Sequence, residues 1–322
     1  MTSLFNRTAW GRIRLTGADR VRFLHNQTTN NIEQLSTGQS CHTVFVTSTG
    51  RTIDLATVYA FADALLVVVS PGMTQQLYDW MDRYIFFSDK VTLTNESTQT
   101  FMFTLIGDDA PHILKQLSDL DINNPPFTHQ TLSLPQLTAP ITIAAGGAEL
   151  GLAGYTILGS QPDAATLEKQ LVAAGATVNS QADWEALRLQ QGRPAPGAEL
   201  TDEDNPLEAG LWDSVSFEKG CYIGQETIAR LNTYKGVKKR LWGLQLQASL
   251  PAEVKLTDIT ITADGNKVGR VTSLNASHDF ALGYVRTKAG GEGLNVLIEG
   301  AHGAVSAKTV AVPFIHHEYY TA

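Results

Sequence analysis

Apolar residues recur along this chain at two spacings, and the passage from one to the other marks out its elements. Residues 9–15 alternate as a strand does, and the helical spacing that follows runs over about 17–32. Thr16 stands where a helix cap belongs, and Asp19 falls in the first turn, where the positive end of a helix favours a carboxylate. Strands are predicted at 43–47, 53–60 and 64–70, the first two joined by the turn Ser48-Thr49-Gly50-Arg51. Pro71 and Gly72 open a helix to about residue 84, and 91–94 reads as a strand. A weaker round follows: a strand at 100–106, a helix over 109–120, strands near Ile141 and Tyr155, and a helix over 162–174. The order strand, helix, three strands, helix, strand, partly repeated, describes two related lobes of an α+β protein.

A further helix is predicted over 183–191, stopped by Gly192 and Pro194. The stretch 192–206 is rich in Pro, Gly and acids and reads as an exposed crossing segment. Beyond Arg240 the pattern changes. Short strands at 241–246, 259–262, 267–273, 281–285, 296–299 and 304–310 alternate with Gly, Asp and Asn turns, which predicts a small antiparallel barrel or sandwich. The expected organisation is a first lobe over 1–97, a second over 98–180, a segment over 181–239 that packs back on the lobes, and a β module over 240–322.

Composition narrows the function. The chain has 322 residues, 43% hydrophobic and 17% charged, enough for two or three domains. Its 24 Lys and Arg against 32 Asp and Glu give a net charge of -8, which argues against nucleic acid or an anionic membrane as a partner and leaves only a local basic patch to hold an anion. The aliphatic run 64–69 is far shorter than the roughly 20 residues a membrane span needs, and the N-terminus lacks the apolar core of a secretory signal. The expectation is a soluble protein of the cytoplasm or of a reducing organelle interior. Cys41 and Cys221 cannot build a disulfide framework or supply the four thiolates of a cluster, and no metal-ligand spacing appears, so no metal site is expected. Cys41, in the apolar run 41–46, reads as a buried strand cysteine, and His316 and His317 as surface residues.

Cys221 is different. In Lys219-Gly220-Cys221-Tyr222-Ile223-Gly224-Gln225-Glu226 a thiol lies between a lysine and the start of a predicted helix, and an ammonium and a helix N-terminus both favour thiolate over thiol. Arg230, Lys235, Lys238, Lys239 and Arg240 follow, a basic stretch in an acidic chain.

This stretch, with its continuation to Lys239, resembles the signature of the YgfZ family, folate-binding relatives of the glycine cleavage T-protein implicated in making or repairing iron–sulfur proteins. Leu15-Thr16-Gly17-Ala18-Asp19-Arg20 with Gln27-Thr28-Thr29-Asn30, and Asn205-Pro206-Leu207-Glu208-Ala209-Gly210-Leu211, resemble other motifs of the same superfamily. The resemblance implies a three-domain cloverleaf of two α/β lobes plus a C-terminal antiparallel β-barrel, with tetrahydrofolate or a derivative as cofactor. Its implied partners are iron–sulfur apoproteins or assembly proteins. By the same resemblance Trp10 and Trp184 match tryptophans associated with folate. Gln190 stands where the family carries an acid that meets the donor edge of the pterin, and Gln27 and Arg230 are additional contacts.

Three functions are therefore in view. The first is a folate-dependent accessory factor for iron–sulfur proteins with Cys221, supported by Lys219, as its working thiol. The second is aminomethyl transfer of the T-protein type; in the family it uses an aspartate at a position that falls at or beside Leu77 here, and T-proteins lack the cysteine. The third is a noncatalytic folate-binding scaffold.

Overall fold

The computed structural model describes residues 2–118, 125–146, 150–301 and 303–321. In chain order the strands and helices are β1 (Thr2–Asn6), β2 (Gly11–Thr16), α1 (Arg20–Gln27), β3 (Ser40–Val46), β4 (Thr52–Ala60), β5 (Ala64–Val69), α2 (Thr74–Arg83), β6 (Thr92–Asn95), β7 (Thr100–Ile106), α3 (Ala110–Ser118), β8 (His129–Leu132), β9 (Ile141–Ala145), β10 (Gly154–Ser160), α4 (Ala164–Ala173), β11 (Ala176–Asn179), α5 (Gln181–Gln191), α6 (Gln225–Thr233), β12 (Lys239–Leu246), β13 (Thr260–Ala263), β14 (Asn266–Leu274), β15 (Phe280–Arg286), β16 (Asn295–Gly300) and β17 (Gly303–Val310). They fall into two compact units, Met1–Thr43 with Asp54–Gln181, and Val44–Ile53 with Ala182–Ala322.

The first unit carries two sheets. One has the order β3-β4-β5-β2-β6, and the tip of its β3–β4 hairpin belongs to the second unit. Strands β4 and β5 are buried at every position, which is why they read as near-continuous apolar runs. The other sheet has the order β11-β1-β7-β10-β9-β8, with β1 parallel to β11 and antiparallel to β7. Its inner face packs Phe101, Phe103, Leu105, Ile143 and Ile157 against Ile113 and Leu114 of α3 and Leu167 and Leu171 of α4. Burying an aliphatic or aromatic side chain of this kind contributes on the order of 2 kcal/mol.

In the second unit six antiparallel strands close in the order β12-β15-β14-β13-β16-β17, the pairing of β12 with β17 removing both edges. Leu244, Ile261, Val271, Ala281, Val285 and Ile298 fill its core. All six strands expected beyond residue 240 are present, and the barrel is the form they take. The α+β class and the two lobes are as expected.

Several expectations are corrected. Helix α1 is shorter than 17–32 at both ends. Thr16 ends β2, and Gly17 holds a left-handed φ of 99°, where a Cβ would lie 2.0 Å from the Lys90 carbonyl oxygen. That close approach fixes a turn before the helix, and Asp19 accepts a hydrogen bond from the Lys90 amide at 2.9 Å. Pro71 and Gly72 form a turn, and α2 opens at Thr74. Helix α3 runs over Ala110–Ser118, so the last two residues of the expected 109–120 helix lie outside the described residues. Cys41 lies in β3 as expected but is half-buried.

The largest correction concerns 192–206. Arg193, Glu199, Asp204 and Asn205 are all buried, Glu199 and Asp204 completely. Their counter-charges arrive from distant sequence, so an acid-rich stretch that looks solvated is an internal ion-pair network. His317 is likewise half-buried, where the sequence reads as surface; its Nε2 lies 2.8 Å from the Leu241 carbonyl, and burial lowers its pKa to about 4.

Candidate functional site

The signature cysteine lies on the loop leading into α6, and its Sγ-bearing residue is exposed. Gly224 ends that loop with a left-handed φ of 83°. A Cβ there would meet the Thr47 carbonyl oxygen at 2.5 Å and Gly50 at 3.1 Å, so glycine is required both by its torsion and by the closeness of the Thr47–Arg51 turn. That turn is itself closed by the Thr47 amide donating to Arg51 and the Gly50 amide to Thr47, both at 2.8 Å. Gln225 folds back along the loop, its Nε2 donating to the carbonyls of Gly220 at 3.3 Å and Lys219 at 3.4 Å. Tyr222 turns inward beside the thiol, and burial raises its phenol pKa. Lys219, only 7% exposed, carries its ammonium 4.8 Å from the Tyr222 ring centroid. The lysine singled out by the sequence is thus an interior cation resting on an aromatic face.

The same unit holds an ion-pair network that sequence reasoning missed. Asp204 accepts from Lys239 at 2.6 Å, from Arg270 at 2.6 Å and from Thr201 at 2.5 Å. Both cations also lie 5.0 Å from the Tyr284 ring, whose hydroxyl donates to the Glu199 carbonyl at 2.7 Å and whose pKa is pushed well up by burial, with the nearby carboxylates adding to the effect. Glu199 accepts from Arg188 at 3.2 Å and from Ser273 at 2.5 Å, and Arg188 also forms a fork with Glu185 at 2.6 and 2.8 Å. Burial alone would lower the Arg188 pKa, but the two carboxylates outweigh it and raise it. Glu208 is raised by burial, against the opposing pull of Lys239 3.9 Å away. The available signal was the acids at 199 and 208 set between Ala and Leu, but the side-chain partners of Glu199 and Asp204 lie up to 74 residues away in sequence.

The residues expected from the sequence to contact folate are distributed over the two units. Trp10 and Gln27 belong to the first, and Trp184, Gln190 and Arg230 to the second. Both tryptophans are buried, at 4% and 3% exposure, and the Arg7 guanidinium lies 3.7 Å from the Trp10 ring centroid. Gln27 ends α1, and its buried Oε1 has no hydrogen-bond partner among the described residues. Gln190 and Arg230 are exposed. Trp184 and Gln190, six residues apart on α5, point in directions about 120° apart. At the position tied to aminomethyl transfer, Leu77 is fully buried in α2, and Asp79 is exposed and bonded to Gln75 at 2.7 Å.

Two α/β lobes and a closed six-stranded antiparallel barrel define the class of protein, that of the T-protein fold. The solved structure of the glycine cleavage system aminomethyltransferase T from Bartonella henselae matches with a TM-score of 0.83 at 21% identity, over 99% of this chain and 88% of that one. Residues 1–219 match the family model for the GCVT N-terminal domain, and the chain belongs to that family. A protein of Arabidopsis thaliana named "Putative transferase, chloroplastic" is 45% identical over 96% of this chain and 70% of its own length. An aminomethyltransferase of Halalkalibacterium halodurans is 26% identical over 97% of this chain and 86% of its own. No helix among the described residues is long and apolar enough to cross a membrane.

Proposed function

We propose that this chain is a YgfZ-type member of its family, a folate-binding factor that serves the assembly or repair of iron–sulfur proteins, with Cys221 as its working thiol. The observation that carries the reading is the exposed Cys221 on a loop whose closing glycine is fixed by a left-handed φ and by the Thr47–Arg51 turn. An inert structural cysteine is ordinarily buried. This one is exposed on a loop packed against a hydrogen-bonded turn.

The residues present fit a folate. Gln27 keeps a buried acceptor without a partner among the described residues, as a pterin edge rich in N–H donors requires. Within the first unit Trp10 is the aromatic candidate, and within the second Trp184, Gln190 and Arg230 are the candidates for the ring, the polar edge and the anionic tail. Tetrahydrofolate or a derivative would supply one-carbon chemistry. The protein's part is to orient the ring and to present a thiol. Partners in this reading are iron–sulfur apoproteins or assembly proteins. Aminomethyl transfer is disfavoured because Leu77 cannot accept or donate a proton and the neighbouring Asp79 is already bonded on the helix surface.

The test is complementation of cells lacking such a factor, with the activity of iron–sulfur enzymes as readout. Wild type should restore activity and Cys221→Ala should not. Full rescue by Cys221→Ala would leave a noncatalytic folate-binding scaffold as the better reading.

A further inference from the structure

The chain that leaves the barrel after β17 crosses the second unit and ends against both sides of the cysteine loop. The Phe314 amide donates to the Gln191 carbonyl at 2.8 Å, and the His316 amide to the Gly210 carbonyl at 2.9 Å. Tyr319 then packs edge-on against Trp212 at 5.1 Å, and its hydroxyl accepts from the Val237 amide at 3.3 Å. Tyr320 makes the final contacts. Its ring stacks on Phe217, 5.2 Å between centroids and 15° between planes, and its hydroxyl donates to Glu218. Its amide donates to Asn232 Oδ1 at 3.0 Å while Asn232 Nδ2 donates to its carbonyl at 3.2 Å.

Phe217 and Glu218 immediately precede Lys219-Gly220-Cys221, and Asn232 lies in the last turn of α6, the helix that follows. One residue therefore grips the entrance to the thiol loop and the far end of the helix that the loop feeds. We infer that Tyr320 is a positioning residue for Cys221, setting the orientation of the thiol relative to α6. This rests on the reading of Cys221 as the working thiol. The contacts are at the surface, where a single hydrogen bond adds little stability, so their effect is on local order more than on the fold. Cys221 is already exposed, so loosening its loop gains no access and instead gives up the single placement of the thiol on the loop.

The experiment compares the full-length protein with Tyr320→Ala and Tyr320→Phe, by amide hydrogen exchange over 217–224 and by the iodoacetamide alkylation rate of Cys221 at fixed pH. Tyr320→Ala should remain folded by circular dichroism, exchange at least tenfold faster across that loop, and alkylate at least threefold more slowly. Tyr320→Phe keeps the ring stack and loses only the hydroxyl bond to Glu218, while the backbone bonds to Asn232 persist in every Tyr320 variant, so it should restore most of both. Unchanged exchange in Tyr320→Ala overturns the proposal whatever the thiol does. Faster exchange with an unchanged Cys221 rate also overturns it, leaving Tyr320 a structural tether. If Tyr320→Ala does not fold, Asn232→Ala replaces it under the same criteria. Wild-type Cys221 alkylating no faster than Cys41 would sink the thiol reading instead, and the exchange arm would still decide whether Tyr320 holds the loop.

Discussion

Gly224 concentrates two constraints in one residue, and each can be broken by a single methyl group. A non-glycine residue in the left-handed region costs about 1 kcal/mol or more, and here the added Cβ would also press on the Thr47 carbonyl at 2.5 Å. Gly224→Ala is therefore expected to lower stability by about 2–3 kcal/mol and to change the Cys221 alkylation rate, measured by urea unfolding and peptide mapping. A stability within about 0.5 kcal/mol of wild type would show that the turn yields freely. His317 gives a second residue-scale prediction, with a definite sign. Its folded pKa is about 4, below the ordinary 6.5, because burial disfavours the imidazolium, with Arg240 and His316 adding repulsion. The unfolded chain thus binds the proton more readily, so His317 contributes full stability above about pH 6.5 and loses it as pH falls toward 4, by at most about 1.4 kcal/mol per pH unit. His129, also lowered mainly by burial, adds a loss of the same sign. Replacing His317 with Gln should flatten the stability profile across that window, and an unchanged slope would contradict the assignment.

At the scale of elements, the segment from α5 to the barrel is held by charge in the interior. Asp204 is completely buried between Lys239 of β12 and Arg270 of β14, so removing its charge takes the anion from Arg270 and leaves Lys239 only the more distant Glu208, 3.9 Å away. Asp204→Asn should destabilise the protein by about 3 kcal/mol, toward the lower end for a broken buried pair because both partners reach solvent in part. Urea denaturation would check this, and a loss below about 1 kcal/mol would mean that water replaces the bridge. The same segment marks the limit of what the sequence shows. Strands β12–β17 and β4–β5 were legible because alternation and unbroken apolar runs are local signals. Strands β1, β8 and β11 were not, and β1 takes as its partner β11 from the other end of the unit, a pairing no local pattern reveals. The motif around Cys221 was legible as a local pattern of lysine, glycines and thiol ahead of a helix. Its frame was not, since the Thr47–Arg51 turn and Tyr320 lie far from it in sequence.

At the scale of the whole molecule, the folate reading draws on residues of both units, and the sharpest test uses the one that departs from the family. Gln190 is exposed on α5, so a carboxylate placed there stays solvated and should leave stability within about 0.5 kcal/mol of wild type. Any change in binding then reports on the ligand and not on the fold. A carboxylate accepts charge-assisted hydrogen bonds, roughly twice as strong as the neutral bonds of an amide. If Gln190 faces the donor edge of the pterin, Gln190→Glu should tighten binding of a reduced folate about fivefold, on the order of 1 kcal/mol. Calorimetry on the two proteins measures this directly, with quenching of tryptophan fluorescence as a parallel signal from Trp10 and Trp184. Equal affinity would remove Gln190 from the site while leaving Gln27 and the tryptophans in it. Weaker binding would place Gln190 beside the anionic tail, where a second negative charge repels. If neither protein binds, folate leaves the proposal, and the exposed thiol at Cys221 has to be explained by a partner alone.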